Sequence, residues 1–224
     1  MDGRAARWAG QRETRRTEIV VAALDAIAEH GPQVSTERIA ERAGIARPTL
    51  YRHFTDADDL YDTVAHRIAE LLVSELAPTM TTPRGSAREV ITRIVRTYVV
   101  WFSENTRLYR YLLSRSMEPL AGEQRPATAV RQRIGELLRE LVAEYVALFG
   151  GDPRIADPLA FGLVGMTETA AVRWVTTPHA SFGRDELITH LAGWIWGSFD
   201  VALREIGIRL DPDIPLPELT GRSD

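Results

Sequence analysis

The chain has 224 residues, no cysteine, and 27 basic against 31 acidic side chains, for a formal net charge of −4. The lack of thiols excludes disulfides, thiolate-held metals and cysteine nucleophiles, and the mild acidity argues against general coating of nucleic acid. Its 45% hydrophobic and 26% charged content is that of a soluble globular protein. With no apolar run near 18 residues and no apolar leader in MDGRAARWAGQRETRR, the expected location is the cytoplasm, with no membrane partner.

The first predicted element is a helix over Thr17 to Gly31 (TEIVVAALDAIAEHG). Residues 34 to 60, VSTERIAERAGIARPTLYRHFTDADDL, are the most informative stretch. Ser35 is a good N-cap residue, and Val34 can staple onto Ile39. Ile39, Ala40 and Ala43 form an inward face small enough for a second helix to approach. Gly44 falls where the chain must reverse. Ile45, Leu50 and Phe54 then recur at roughly helical spacing and predict a second buried face. Arg47, Pro48, Thr49, Tyr51, Arg52 and His53 are left outside or at the leading end, and no acid lies between Arg47 and Thr55. Such a helix pair also occurs as plain packing, but this exposed set suits the major groove of DNA, where a recognition helix meets base edges and phosphates with its N-terminal half.

The same residues resemble the N-terminal domain of the TetR (tetracycline-repressor) family, through IAERAGIARPTLYRHF (Ile39 to Phe54), the preceding helix Thr17 to Gly31, and Leu60 opening into a long fourth helix. The specific resemblance covers about 50 residues, counted from those motifs. It implies that Arg47 and Thr49 approach bases, and that Tyr51, His53 and Thr36 approach phosphates. Two positions depart from the family pattern. Ala46 replaces the usual capping residue before the recognition helix, a bond worth about 1 kcal/mol. Ala57, flanked by Asp56, Asp58 and Asp59, replaces a common lysine; Asp56 suits a helix cap, but the acids repel phosphate and predict a weaker non-specific grip. Residues 1–18 carry Arg4, Arg7, Arg12, Arg15 and Arg16. Residues 1–14 read as a flexible arm, either solvated or reaching a narrow minor groove, with Arg15 and Arg16 the candidate DNA contacts.

Beyond the fourth helix (Asp58 to Leu76), turn clusters at Pro78 to Ser86, Met117 to Pro126, Gly150 to Pro158 and Thr176 to Arg184 cut the chain into helices. No strand pattern or internal repeat competes. Amphipathic segments span Ser86 to Ser103 and Ala127 to Phe149. The last two helices, 157–175 and 185–206, are apolar over much of their circumference and must be buried on more than one side. Monomer core on one side and a second subunit on the other meet that need. The resemblance likewise implies a homodimer through these helices, although a central place in a monomer is the plainer alternative. The tail after Leu210 is proline-punctuated and reads as extended. Tyr98, Trp101, Phe102, Tyr109, Tyr111, Met117, Phe161, Met166 and Trp174 are candidates to line an apolar ligand cavity, or are simply core. Arg93, Arg96, Glu168 and Arg173 are candidates to anchor a polar group of the ligand.

The expected fold class is all-α. The predicted domains are a helix-turn-helix three-helix domain over 1–62, a helical effector-binding and dimerisation domain over 63–210, and an extended tail over 211–224. The expected function is a DNA-binding transcriptional regulator, a dimeric repressor released from a double-stranded operator by a small apolar or amphipathic effector of unknown identity. The alternatives are a helical DNA-binding protein without an effector, and an all-α enzyme. Five histidines, at 30, 53, 66, 179 and 190, lack metal-ligand spacing, and no glycine-rich phosphate loop or G-x-S-x-G occurs. Neither an enzymatic activity nor a cofactor or metal is expected.

Overall fold

A computed structural model describes residues 3–115, 126–177 and 182–217, with side chains of 11–114, 127–177 and 182–217. Among the described residues all regular structure is helical, as the sequence predicts. The elements are α1 (Gly3–His30), α2 (Thr36–Arg42), α3 (Arg47–Leu50), α4 (Ala57–Thr81), α5 (Ala87–Glu104), α6 (Thr106–Arg115), α7 (Pro126–Leu148), α8 (Ala156–Thr176) and α9 (Arg184–Glu205); a 3-10 turn, Pro153–Ile155, precedes α8. Two compact units form, one from residues 1–71 with 105–129 and the other from 72–104 with 130–224. This partition differs from 1–62, 63–210 and 211–224: the first half of α4 and all of α6 join the reading unit.

In the first unit Ile19, Ala23, Ile27, Ile39, Leu50, Phe54, Leu60, Val64 and Ile68 are fully buried or nearly so. Ser35 caps α2 by accepting from the Arg38 amide, and Val34 and Ile39 are both buried as the staple requires. Gly44 takes φ +65°, a turn that a residue with a side chain rarely adopts. Asp56 caps α4 by accepting from the Asp59 amide at 2.8 Å. Arg107 of α6 donates to the Ala28 and Glu29 carbonyls at 2.6 and 2.7 Å, satisfying the open end of α1.

Three boundaries differ from the sequence reading. α1 begins at Gly3 and not at Thr17, so the backbone of the expected arm is helical. Pro78 does not end α4, which continues to Thr81. Pro78 costs the helix its own amide bond and crowds the carbonyl of Ser74, but burial of Met80 favours the extra turn. The Thr79, Thr81 and Thr82 hydroxyls satisfy the last carbonyls. α6 is a separate helix where no break between Ser103 and Met117 was expected; the chain bends at Asn105, whose carbonyl accepts from Tyr109 N.

In the second unit α5 packs on α9 and α8. Arg131 of α7 makes a two-point contact with Glu168 of α8, 2.7 and 3.1 Å, which answers the charge that the sequence left as a ligand anchor. Arg93 donates to the Arg84 carbonyl and Arg96 pairs with Asp185. The described part of the tail is anchored: Leu216 N donates to Gly85 O at 2.9 Å, Arg88 N to Pro212 O at 3.0 Å, and Arg88 Nε to Asp213 at 2.7 Å. The segment Pro153–Thr176 reaches a mean hydropathy of 1.2 over 18 residues, enough by length and composition to cross a membrane. No unbroken apolar run of that length marks the segment in the sequence. Here glycine, alanine and threonine dilute the run without adding charge, and the segment packs against α5 and α9.

Candidate nucleic-acid interface

The helix-turn-helix is built from α2, the Gly44 turn and α3. Leu50 and Phe54 are sunk into the core, and this fixes which side of α3 faces outward. α3 itself is a single turn, shorter than the spacing of Ile45, Leu50 and Phe54 predicts. Ala46, its N-cap, makes no side-chain bond, and the chain continues from Tyr51 to Phe54 in tighter turns in which Arg52 N reaches Thr49 O and His53 N reaches Leu50 O. With no side-chain cap, the Ala46 carbonyl alone accepts from the Thr49 and Leu50 amides, at 2.8 and 3.4 Å, and burial of Leu50 and Phe54 adds the hold on the segment.

Arg47, Pro48 and Arg52 are exposed, whereas Thr49, Tyr51 and His53 are half-buried. Arg47 and Tyr51 form one cluster. The Arg47 guanidinium lies 5.7 Å from the Tyr51 ring centre and also bonds its phenol, which is the main reason its pKa rises above the ordinary arginine value. The Tyr51 phenol is held below its usual value, first by a hydrogen bond with the Thr36 hydroxyl and then by Arg47. Thr36 is itself buried, with its hydroxyl against the Tyr51 phenol. Glu37, which the sequence reading did not single out, pairs with Arg47 at 2.9 Å. The signal that could find it is an acid in the first turn of α2, next in sequence to Thr36.

Arg16 does not reach outward. Its guanidinium donates to the His53 carbonyl at 2.8 Å, to Asp59 at 2.6 Å and to the Thr63 hydroxyl at 2.8 Å, and stacks 4.3 Å over the Phe54 ring. Its side chain is only 27% exposed. The expected DNA contact is instead a clamp joining α1, the end of the recognition segment and α4; a planar five-donor group next to an acid and a carbonyl satisfies more bonds inside than out. Arg15 is half-exposed, between Glu18 and the Ala43 carbonyl. His53 Nδ1 is buried without a hydrogen-bond partner among the described residues.

The expected ligand-lining residues are not gathered around one cavity. Tyr98 and Phe102 stack at 5.9 Å and, with Trp101, are buried on α5. Phe161 meets Gly135 of α7, and Trp174 donates its indole N–H to the Phe182 carbonyl. Met166 is half-buried on α8. Tyr109 and Tyr111 are buried in the other unit, where the Tyr111 hydroxyl donates to the Tyr61 carbonyl. Met117 lies outside the described residues. The second unit does contain an apolar cleft, with free volume of about 90 Å³, lined by Val90, Ile94, Leu141, Trp196, Phe199 and Leu216 among others, and none of the expected residues. Tyr98, Trp101, Phe102, Tyr109 and Tyr111 are buried, where large side chains fill space as helices cross, whereas Phe161, Met166 and Trp174 are half-buried.

A buried-faced helix pair offering arginine, tyrosine and threonine at its outer edge defines a helix-turn-helix DNA-binding regulator. The chain belongs to the TetR family: residues 19–64 match the profile of bacterial regulatory proteins of the tetR family, and residues 75–208 that of the tetracyclin repressor-like C-terminal domain. An uncharacterized HTH-type transcriptional regulator of Mycobacterium tuberculosis (strain ATCC 25618 / H37Rv) is 28% identical over 200 residues, covering 88% of this chain and 82% of that protein. The HTH-type transcriptional activator FasR of Mycolicibacterium smegmatis is 24% identical, covering 83% of each. A tetR-family regulator from Streptomyces coelicolor shares the fold with a TM-score of 0.68 at 22% identity, over 86% of this chain and 83% of that one. The fatty acid degradation regulator FadR of Bacillus halodurans does so with a TM-score of 0.59 at 19% identity, over 81% and 94%. This protein is thus a DNA-binding transcriptional regulator.

Proposed function

We propose that the protein is a cytoplasmic, non-enzymatic, one-component repressor that binds a two-fold-symmetric operator as a homodimer. The observation that carries this reading is the exposed Arg47 at the head of α3, supported by Thr36, Tyr51 and the buried Leu50 and Phe54. In it Arg47 and Thr49 read bases, and Tyr51, Arg52 and His53 meet phosphates, with the exposed Pro48 opening the first turn of α3 beside Arg47; the reading head is 1–62, and residues 1–14 are an arm beside it. α8 and α9 supply the dimer contact. In support, the large apolar side chains Trp194 and Val201 of α9 are more than half exposed in the single chain, and a helix apolar beyond its buried stripe needs a second partner.

A small apolar effector enters the second unit and favours a state with misplaced reading heads; it must bind that state better than the DNA-bound one. The apolar cleft, not the aromatic set, is the favoured entry site. Its size supports a second reading, regulation without an effector, because ligand pockets are typically about 300–1,000 Å³. The FasR relative is named an activator, so the sign of regulation is part of the proposal.

Selection of bound duplexes from a randomised library tests the reading. A palindrome with half-sites about 34–36 Å apart, or a multiple, is expected. A non-palindromic site would overturn the dimer, and no enriched sequence at low salt would overturn the operator reading itself.

A further inference from the structure

The cations around the reading surface are compensated by the chain's own acids. Arg15 pairs with Glu18, Arg38 with Glu41, and Arg42 with both Asp25 and Glu29. These pairs lie within α1 and α2 or tie them together. The pair between Arg47 and Glu37 is of another kind. It joins the first turn of α2 to the first residue of α3, across the turn of the motif, at 2.9 Å, with side chains 54% and 56% exposed. Neither side chain is needed there for packing, since the core contacts of this region come from Ile39, Leu50 and Phe54. Ser35 already caps α2, so Glu37 is not needed as a cap either.

We infer that Glu37 is a positioning and specificity-determining residue: it holds the Arg47 guanidinium toward the base edges and away from phosphate. The inference rests on Arg47 as a base reader. A guanidinium has five donors in a fixed fork. Glu37 engages Nη1, and Tyr51 supports the group from its ring and phenol. The donors that remain match the O6 and N7 acceptors of guanine, whereas a freed arginine swings to the nearest phosphate, a contact without sequence information. The carboxylate adds a second effect, because it repels any phosphate drawn to the same place. Glu37 stays anionic in this setting: its own backbone amide, Ser35 and Arg47 all hold its pKa below the ordinary value. The Asp56–Asp59 stretch at the start of α4 acts in the same direction on general DNA affinity. The reading head therefore trades non-specific grip for discrimination.

The test uses the full-length protein, the duplex selected from a randomised library, and a scrambled duplex of equal length and composition. Affinities are measured over a salt series for the parent, Glu37→Gln, Arg47→Ala and the double variant. Glu37→Gln is expected to tighten the scrambled duplex and to weaken the selected one, as Arg47 leaves the base edge for phosphate, lowering the preference about tenfold. The salt slope on the scrambled duplex steepens by roughly 0.9 per subunit, one new phosphate contact. The melting temperature stays at the parent value, and the effect disappears in the Arg47→Ala background. An unchanged ratio of affinities, including an equal gain on both duplexes, overturns the assignment, since it reduces Glu37 to a surface charge. If Arg47→Ala leaves base preference intact, the underlying reading of Arg47 fails; if Arg47→Ala alters preference while Glu37→Gln is silent, only the Glu37 assignment fails.

Discussion

The unit around the helix-turn-helix and the unit built from α5, α7, α8 and α9 reach their folds by different chemistry. In the first, polar side chains have individual partners: Arg16 binds Asp59, Thr63 and the His53 carbonyl, Arg107 closes the end of α1, and Asp56 caps α4. The second also has ion pairs, Arg131 with Glu168 and Arg96 with Asp185, but its interior is filled by apolar side chains interchangeable in kind, as in the cluster of Val142, Val146, Ala156, Leu203 and Ile208. Directional bonds admit few substitutes, while close packing of hydrocarbon admits many arrangements of similar volume. The helix-turn-helix surface is thereby tied to identifiable residues, and the second unit is not.

Substitutions sharpen this contrast, beginning with the largest effect. Phe54→Ala removes a ring that is 1% exposed and lies under Arg16, and is expected to destabilise the first unit by about 3–5 kcal/mol. Chemical denaturation measures the loss, and operator binding should vanish with it. A stable variant that still binds would break the claim that Phe54 holds the recognition segment. In the second unit Gly135→Ala is the matching change. A methyl built on Gly135 overlaps the Phe161 ring, so the variant should lose about 1–3 kcal/mol by overpacking despite the better helix propensity of alanine. Its preferred DNA site should be unchanged in a library selection.

The Arg16 clamp makes stability depend on acid. Asp59 is held below the ordinary carboxylate value, first by the Arg16 hydrogen bond and also by the Thr55 amide. Because the folded value is depressed, the contribution is complete above the unfolded value of about 3.9 and is lost as pH falls through the folded one. Melting temperature should therefore fall less steeply below about pH 5 in Asp59→Asn than in the parent. Equal slopes would mean that the clamp does not bind the carboxylate preferentially. The smallest change is a gain. Ala46→Ser restores a cap and should add about 0.5–1 kcal/mol, with slower amide exchange at Thr49 and Leu50. Unchanged exchange would show that packing of Leu50 and Phe54 already saturates the stability of α3.

Local chemistry made much of the first unit legible in the sequence. Ser35 as cap, Gly44 at the turn, the Leu50 and Phe54 face and Asp56 as cap each depend on neighbours within a few residues, so sequence spacing carries them. The same spacing placed Arg47, Pro48 and Arg52 outward, while Thr49, Tyr51 and His53 of that set are half-buried. It missed Glu37, because its partner lies across the turn, and it misplaced Arg16, because three of its partners are between 37 and 47 residues away.

The sequence by itself determined an all-helical chain, the helix-turn-helix with Arg47, Pro48 and Arg52 outward, and two apolar terminal helices, since periodicity, caps and turn residues act over short range. Only the tertiary structure decided which arginines face solvent, where α4 ends and α6 begins, that the tail pairs with the start of α5, and where the apolar cleft lies. Those outcomes depend on which distant side chain arrives to satisfy a charge or fill a volume, and an isolated linear pattern does not encode that meeting.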